Sequence, residues 1–295
     1  MKRILSRLFW CVLVVGNLAM SCYDRAPRIR NLYPSFSPDG ERIAYVHNNY
    51  VGDDAGAGIH PYPTGIYVVD KNGNDRTQVP LDLSFGAYDI TALKWSPDGT
   101  RLAFIAGYYR TLYVSGIDGS NLKSLTGNYF NDISWSPDSQ YILYSDEDDI
   151  LKYATADLST HDNLFHLTLS GHSPVLSPDG KKVLYALPAG FPGEVIIADS
   201  TNSNPQSVKV NFSFYNSFVW SPNGKKFAYT SNSQNEGRAY VISPDGTQNR
   251  LVGSGVASSW SVQDEIALYD DGLNISDIFV ASPDGAHLRQ VTFGD

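Results

Sequence analysis

A serine-led tight turn, preceded by a bulky residue and followed by an alternating apolar run, recurs six times along the chain. The copies are PSFSPDGERIAYV from Pro34, LKWSPDGTRLAFI from Leu93, ISWSPDSQYILYS from Ile133, PVLSPDGKKVLYA from Pro174, FVWSPNGKKFAYT from Phe218 and SSWSVQDEIALYD from Ser258. Their serines, Ser37, Ser96, Ser136, Ser177, Ser221 and Ser261, step by 59, 40, 41, 44 and 40 residues. Four of these steps fall in the range of about 40 to 45 residues that a four-stranded propeller blade occupies. A unit of that length buries its faces only against neighbouring units, so the period constrains the whole fold.

The turn has a local explanation. Serine at the first position bonds back to the backbone, proline at the second presets φ, and glycine at the fourth relieves the exit, as in a type I hairpin turn or its bulged variant. Trp95, Trp135, Trp220 and Trp260 hold one register before it, with Phe36 and Leu176 substituting. One large side chain per unit suits sheets stacked face to face around an axis. The sixth unit carries Val262, Gln263 and Asp264 where the others have proline, aspartate and glycine, and is expected to lack this turn chemistry.

Each unit continues with a third run, such as IYVVD from Ile66 or LYVSG from Leu112. A polar turn follows, as at Asp118 and Gly119, and then a short edge-like run such as LKSLT from Leu122. Aromatic residues make up 13% of the chain and sit among Val, Ile and Thr, which is strand-forming usage. The expectation is an all-β fold: a six-bladed β-propeller of four-stranded antiparallel blades over residues 33–295.

Residues 1–22, MKRILSRLFWCVLVVGNLAMSC, have a basic start at Lys2, Arg3 and Arg7, an apolar run from Leu8 to Met20, and small residues Ala19 and Ser21 before Cys22. This is the pattern of an export signal, and the run falls short of the roughly 20 apolar residues a membrane-spanning helix needs. The ending LAMSC resembles the bacterial lipobox, which implies lipidation at Cys22 and a membrane tether through acyl chains alone. Cys11 leaves with the signal, so Cys22 would be the one thiol of the exported protein, with residues 23–32 as its tether. Loss of the three basic residues takes the formal charge from −9 to −12, which argues against nucleic acid as a partner.

The turn WSPDG, the apolar strand after it, then IYV, DG and LT resemble the TolB-type propeller repeat. The resemblance covers roughly Pro34 to Thr292. It implies a periplasmic or extracellular propeller that works through protein contacts in the cell envelope. TolB proteins carry an α/β domain before the propeller; the short segment from Tyr23 to Leu32 leaves no room for one here.

No GxSxG elbow is present, and no cofactor or metal is expected. His161, His166 and His172 lack zinc-site spacing, and the run Asp146, Glu147, Asp148 and Asp149 reads as a solvated hairpin loop. Two places qualify for binding. The mouth of the axial funnel draws on residues just before each bulky position: Asp89, Asn131, Asp132, His172 and Asn216. The excess length of the first repeat lies between His47 and Gly65, where Tyr50, His60, Tyr62 and Pro63 would meet a protein partner. The reading is a non-enzymatic, exported, lipid-anchored scaffold binding envelope proteins, with a carbohydrate-active or small-ligand or metal-binding funnel as the alternative.

Overall fold

A computed structural model describes residues 28–50, 64–82, 90–125, 130, 132–145, 151–159, 161–163, 171–187, 193–199, 205–210, 217–233, 236–270 and 276–292. The expectations on Cys22, His60, Tyr62, Pro63, Asp89, Asn131, Asp146, Glu147, Asp148, Asp149, His166 and Asn216 fall outside these residues.

Among the described residues twenty-four strands form six four-stranded sheets, each made from consecutive strands with antiparallel neighbours. Blade 1 is β1 (Arg28–Phe36), β2 (Arg42–Tyr50), β3 (Gly65–Asp70) and β4 (Thr77–Gln78); blade 2 is β5 (Ala92–Trp95), β6 (Arg101–Ala106), β7 (Thr111–Gly116) and β8 (Lys123–Leu125). Blade 3 is β9 (Asp132–Trp135), β10 (Tyr141–Ser145), β11 (Leu151–Thr155) and β12 (His161–Asn163); blade 4 is β13 (His172–Leu176), β14 (Lys182–Ala186), β15 (Glu194–Asp199) and β16 (Gln206–Lys209). Blade 5 is β17 (Phe218–Trp220), β18 (Phe227–Ser233), β19 (Glu236–Ile242) and β20 (Arg250–Ser254); blade 6 is β21 (Val256–Trp260), β22 (Ile266–Tyr269), β23 (Ile278–Ala281) and β24 (Leu288–Gln290). The fold is the six-bladed propeller that the repeat predicts.

The hairpin turns show why the motif repeats. Ser96 Oγ accepts the amide of Arg101 at 2.9 Å and donates to Asp98 Oδ1 at 2.6 Å, while that carboxylate accepts the amide of Thr100 at 3.0 Å. The same triangle forms around Ser37, Ser177 and, with Asn223 in place of aspartate, Ser221. The fourth position takes positive φ in every unit, at Gly40, Gly99, Ser139, Gly180, Gly224 and Asp264, which fits the bulged hairpin variant. Unit six therefore keeps its turn, contrary to expectation: Asp264 adopts φ 65°, and its carboxylate accepts the Trp260 indole N–H at 2.8 Å. Aspartate tolerates this backbone region better than most side chains, and proline was dispensable.

Six apolar clusters lie at the six junctions between blades. Trp95 packs with Ala44, Val46 and Ile66 of blade 1, Trp135 with Ile105, Leu112 and Val114 of blade 2, Trp220 with Leu184 and Val195 of blade 4, and Trp260 with Ala239 and Val241 of blade 5. Phe36 closes onto Ala267, Ile278 and Val280 of blade 6, and Leu176 flanks the junction of Leu143 with Val183 and Tyr185. Guanidinium groups cover two of the indoles, Arg42 over Trp95 at 5.0 Å and Arg101 over Trp135 at 5.1 Å.

Among the described residues the ring closes without a shared sheet. β1 starts at Arg28 and pairs along β2, with a bulge between Leu32 and Ser35. It touches blade 6 through one parallel bridge from Arg30 to Ser276, and the Asn31 amide donates to Ser276 O at 2.8 Å. Side chains complete the joint. Asn31 Nδ2 reaches Asp277 Oδ1 at 3.5 Å, Asp277 also accepts Gln290 Nε2 at 2.8 Å, and Gln263 Nε2 bonds Asp39 O at 2.8 Å and Glu41 Oε1 at 2.9 Å.

Substituting Ser96→Ala should destabilise the fold by about 1–3 kcal/mol in urea unfolding, because it strips a buried acceptor from Arg101 and a donor from Asp98. Burial raises the Asp98 carboxyl, but bonds from Ser96, Thr100 and Arg101 outweigh it and hold the group well below its ordinary value; hydrogen bonds from Ser37 and the Glu41 amide lower Asp39 likewise. Their contribution is complete above the ordinary value of 3.8 and is lost as pH falls through the folded values, so stability declines on acidification and Asp98→Asn should flatten that decline.

Candidate functional site: the axial channel and the loop face

The inner strands β1, β5, β9, β13, β17 and β21 surround the axis. The residue just before each bulky wedge is Ser35, Lys94, Ser134, Val175, Val219 or Ser259. Where it is serine it ties blade to blade: Ser35 Oγ accepts the Trp95 amide at 2.9 Å, Ser259 Oγ accepts the Phe36 amide at 3.0 Å, and Ser134 Oγ donates to Pro174 O at 2.7 Å. The indoles of Trp135 and Trp220 donate to Lys94 O at 3.2 Å and Val175 O at 3.3 Å. Trp95 has no such acceptor for its buried Nε1 among the described residues.

Lys94 is the one charged residue in this register, and the repeat alignment contains that signal although sequence reasoning passed over it. These strands enclose a cavity of about 230 Å³, lined among others by Lys94, Asp132, Ser173, Phe218, Val219 and Ser258. Lys94 Nζ donates to Ser258 O of blade 6 at 2.8 Å. Burial pulls its ammonium down from 10.5 to about 8, against the opposing attraction of Asp132.

Asp132, expected at the mouth, begins β9 and lines the cavity. Burial pushes its carboxyl up, opposed by a hydrogen bond from Ser173 and by the charges of His172, Lys94 and Arg110. Ser173 Oγ donates to Asp132 Oδ2 at 2.8 Å, from a residue held at φ 55° in a bulge of β13. His172 Nδ1 lies 3.4 Å from that hydroxyl. The hydroxyl hydrogen goes to the carboxylate, so the imidazole does not act on it as a base. The site presents two opposite charges and an apolar wall rather than an activated nucleophile.

Because neighbouring strands are antiparallel, the segments entering each inner strand and the turns joining second to third strands gather at one end. Asp132 lies there, as does the β6–β7 turn, where Tyr108 and Tyr109 are 80% and 73% exposed and meet edge to face with centroids 5.3 Å apart. Arg110 braces that turn, its Nε donating to Phe130 O at 2.7 Å. Adjacent tyrosines cannot both follow a strand's inward alternation, and this signal was legible in GYYR. Tyr50 ends β2 at the same end of the ring.

At the opposite end a larger hollow of about 630 Å³ lies between blades 2 and 3, lined by Arg101, Asp118, Lys123 and Asp157. Three of those charges are engaged locally: Asp118 with Ser120, Asp157 with Thr155 and Ser159, and Arg101 with Asp98 and Ser139. Among the described residues no three His, Cys, Asp or Glu side chains converge as a metal site would require.

A TolB from Acinetobacter baumannii is similar to this structure with a TM-score of 0.57 and 22% identity, over 74% of this chain and 53% of that one. The chain thus spans about half of that protein's length. A putative TolB from Agrobacterium tumefaciens is similar at a TM-score of 0.59 and 17% identity, over 91% of this chain and 100% of that one. The fold is that of a TolB-like propeller. The β-propeller domain of the Trilobed protease from Pyrococcus furiosus, described as an open velcro topology, is similar at a TM-score of 0.53 and 12% identity, over 91% of this chain and 99% of that one. A family model described as eukaryotic translation initiation factor eIF2A matches residues 51–150, about a third of the chain. No curated protein matches the sequence.

The Lys94 ε-carbon resonance should titrate with a midpoint near about 8, and Asp132→Asn should move it lower by removing the attraction that favours the ammonium. With its folded value below 10.5, Lys94 burdens folding below pH 8, and the burden lifts between about 8 and 10.5. A midpoint at 10.5 would contradict the burial described.

Proposed function

We propose that this chain is an exported, non-enzymatic propeller of the cell envelope, tethered by lipid at Cys22, whose loop face docks a partner protein. The exposed Tyr108–Tyr109 pair carries the reading: two large rings stand on a turn braced by Arg110, and rigid tyrosines dominate protein contacts when they fill a partner's pockets. The TolB-like fold supports it, and so does the sequence of the first repeat, whose excess length after β2 carries Tyr50, His60, Tyr62 and Pro63. A formal charge of −12 after signal removal favours a protein partner with a basic face over nucleic acid. A ligand role for the channel is a separate matter that rests on Lys94 and Asp132.

Affinity capture from detergent-solubilised envelope should recover the same protein reproducibly. Tyr108→Ala with Tyr109→Ala should weaken that complex more than tenfold, about 2 kcal/mol per well-packed ring, and leave the melting temperature unchanged. Deleting residues 50–63 should weaken it further, and Cys22→Ser should release the protein from membranes. Absence of a reproducible partner, or a partner indifferent to both loop variants, would overturn the docking role.

A further inference from the structure

We propose that the axial cavity binds a free amino acid, its carboxylate meeting Lys94 Nζ and its ammonium meeting Asp132. The starting observation is a pair of opposite charges that line one cavity and form no ion pair with each other. An ammonium has three N–H donors, and Lys94 directs one to Ser258 O. Asp132 accepts Ser173 at Oδ2, and no described residue donates to Oδ1. Among the described residues each group therefore keeps bonding capacity at the same cavity.

Burial sharpens the consequence. Both residues are half-buried, and that burial displaces Lys94 downward and Asp132 upward. An opposite charge brought by a ligand offsets that displacement. A simple carboxylate would meet Lys94 but also face Asp132, and a simple amine would meet Asp132 but also face Lys94 and Arg110. A molecule carrying both charges satisfies both ends at once, so charge complementarity selects a zwitterion.

Size and lining narrow the class. A cavity of about 230 Å³ has room for a molecule the size of a free amino acid. Phe36, Ile133, Val175, Phe218 and Val219 form much of the wall, which suits an aliphatic side chain. The bulge at Ser173 fixes a hydroxyl on Asp132 and so orients the carboxylate that would receive the ammonium. The inference is independent of docking at the loop face.

Calorimetric titration of the purified protein with leucine, alanine, 4-methylpentanoate and 3-methylbutylamine tests it. Leucine should bind, and the two analogues that each lack one charge should bind at least tenfold more weakly. Lys94→Met and Asp132→Asn should each lower leucine affinity at least tenfold. Binding of neither amino acid overturns the assignment, as does an analogue that matches leucine. The analogue series uses the unmodified protein, so the test stands even if a variant misfolds.

Discussion

The ring depends on one contact repeated around its axis: a bulky side chain at the end of each inner strand, wedged against the sheet before it. A single four-stranded sheet of this kind has two apolar faces and cannot keep water from either. Trp135 against Ile105 and Leu112 solves that problem for one junction, and Phe36 against Ile278 solves it for the junction where the chain's first and last blades meet. Around this contact the smaller devices fall into place. Serines one residue earlier tie inner strands together, arginines cover two of the indoles, and the serine–aspartate turn begins directly after the wedge.

The period and the wedge register were legible because both are dictated by backbone geometry. Strand, turn and strand must recur at blade length, and the turn needs particular residue types at fixed offsets. The same logic misjudged unit six, where pattern matching weighed Pro and Gly above the property the turn requires. Asp264 supplies the positive φ and a carboxylate for Trp260, so the geometry survives a different spelling. How β1 meets blade 6 was not legible, since Asn31, Asp277 and Gln263 lie far apart in sequence and share no motif.

The channel was half legible. Asp132 follows from its place a few residues before Trp135, whereas Lys94, between Leu93 and Trp95, reads as an ordinary outward position in an alternating strand. In a propeller's innermost strand that position does not face bulk water. It faces the neighbouring inner strands and the axis, which is why serine serves as a tie there and why a lysine loses much of its hydration. The tyrosine pair at the loop face is less legible for the opposite reason: the longest insertion dominates the repeat pattern, while a four-residue turn carries Tyr108 and Tyr109, both largely exposed.

Among the described residues each blade is cut from consecutive strands, and its neighbours hold it chiefly by side chains. Such a ring resembles a barrel of separate staves. A stave copied or lost during gene duplication alters the circumference without tearing any sheet, because the remaining staves present the same two mating surfaces. Architecture of this type leaves evolution free to vary ring size while the joinery stays constant.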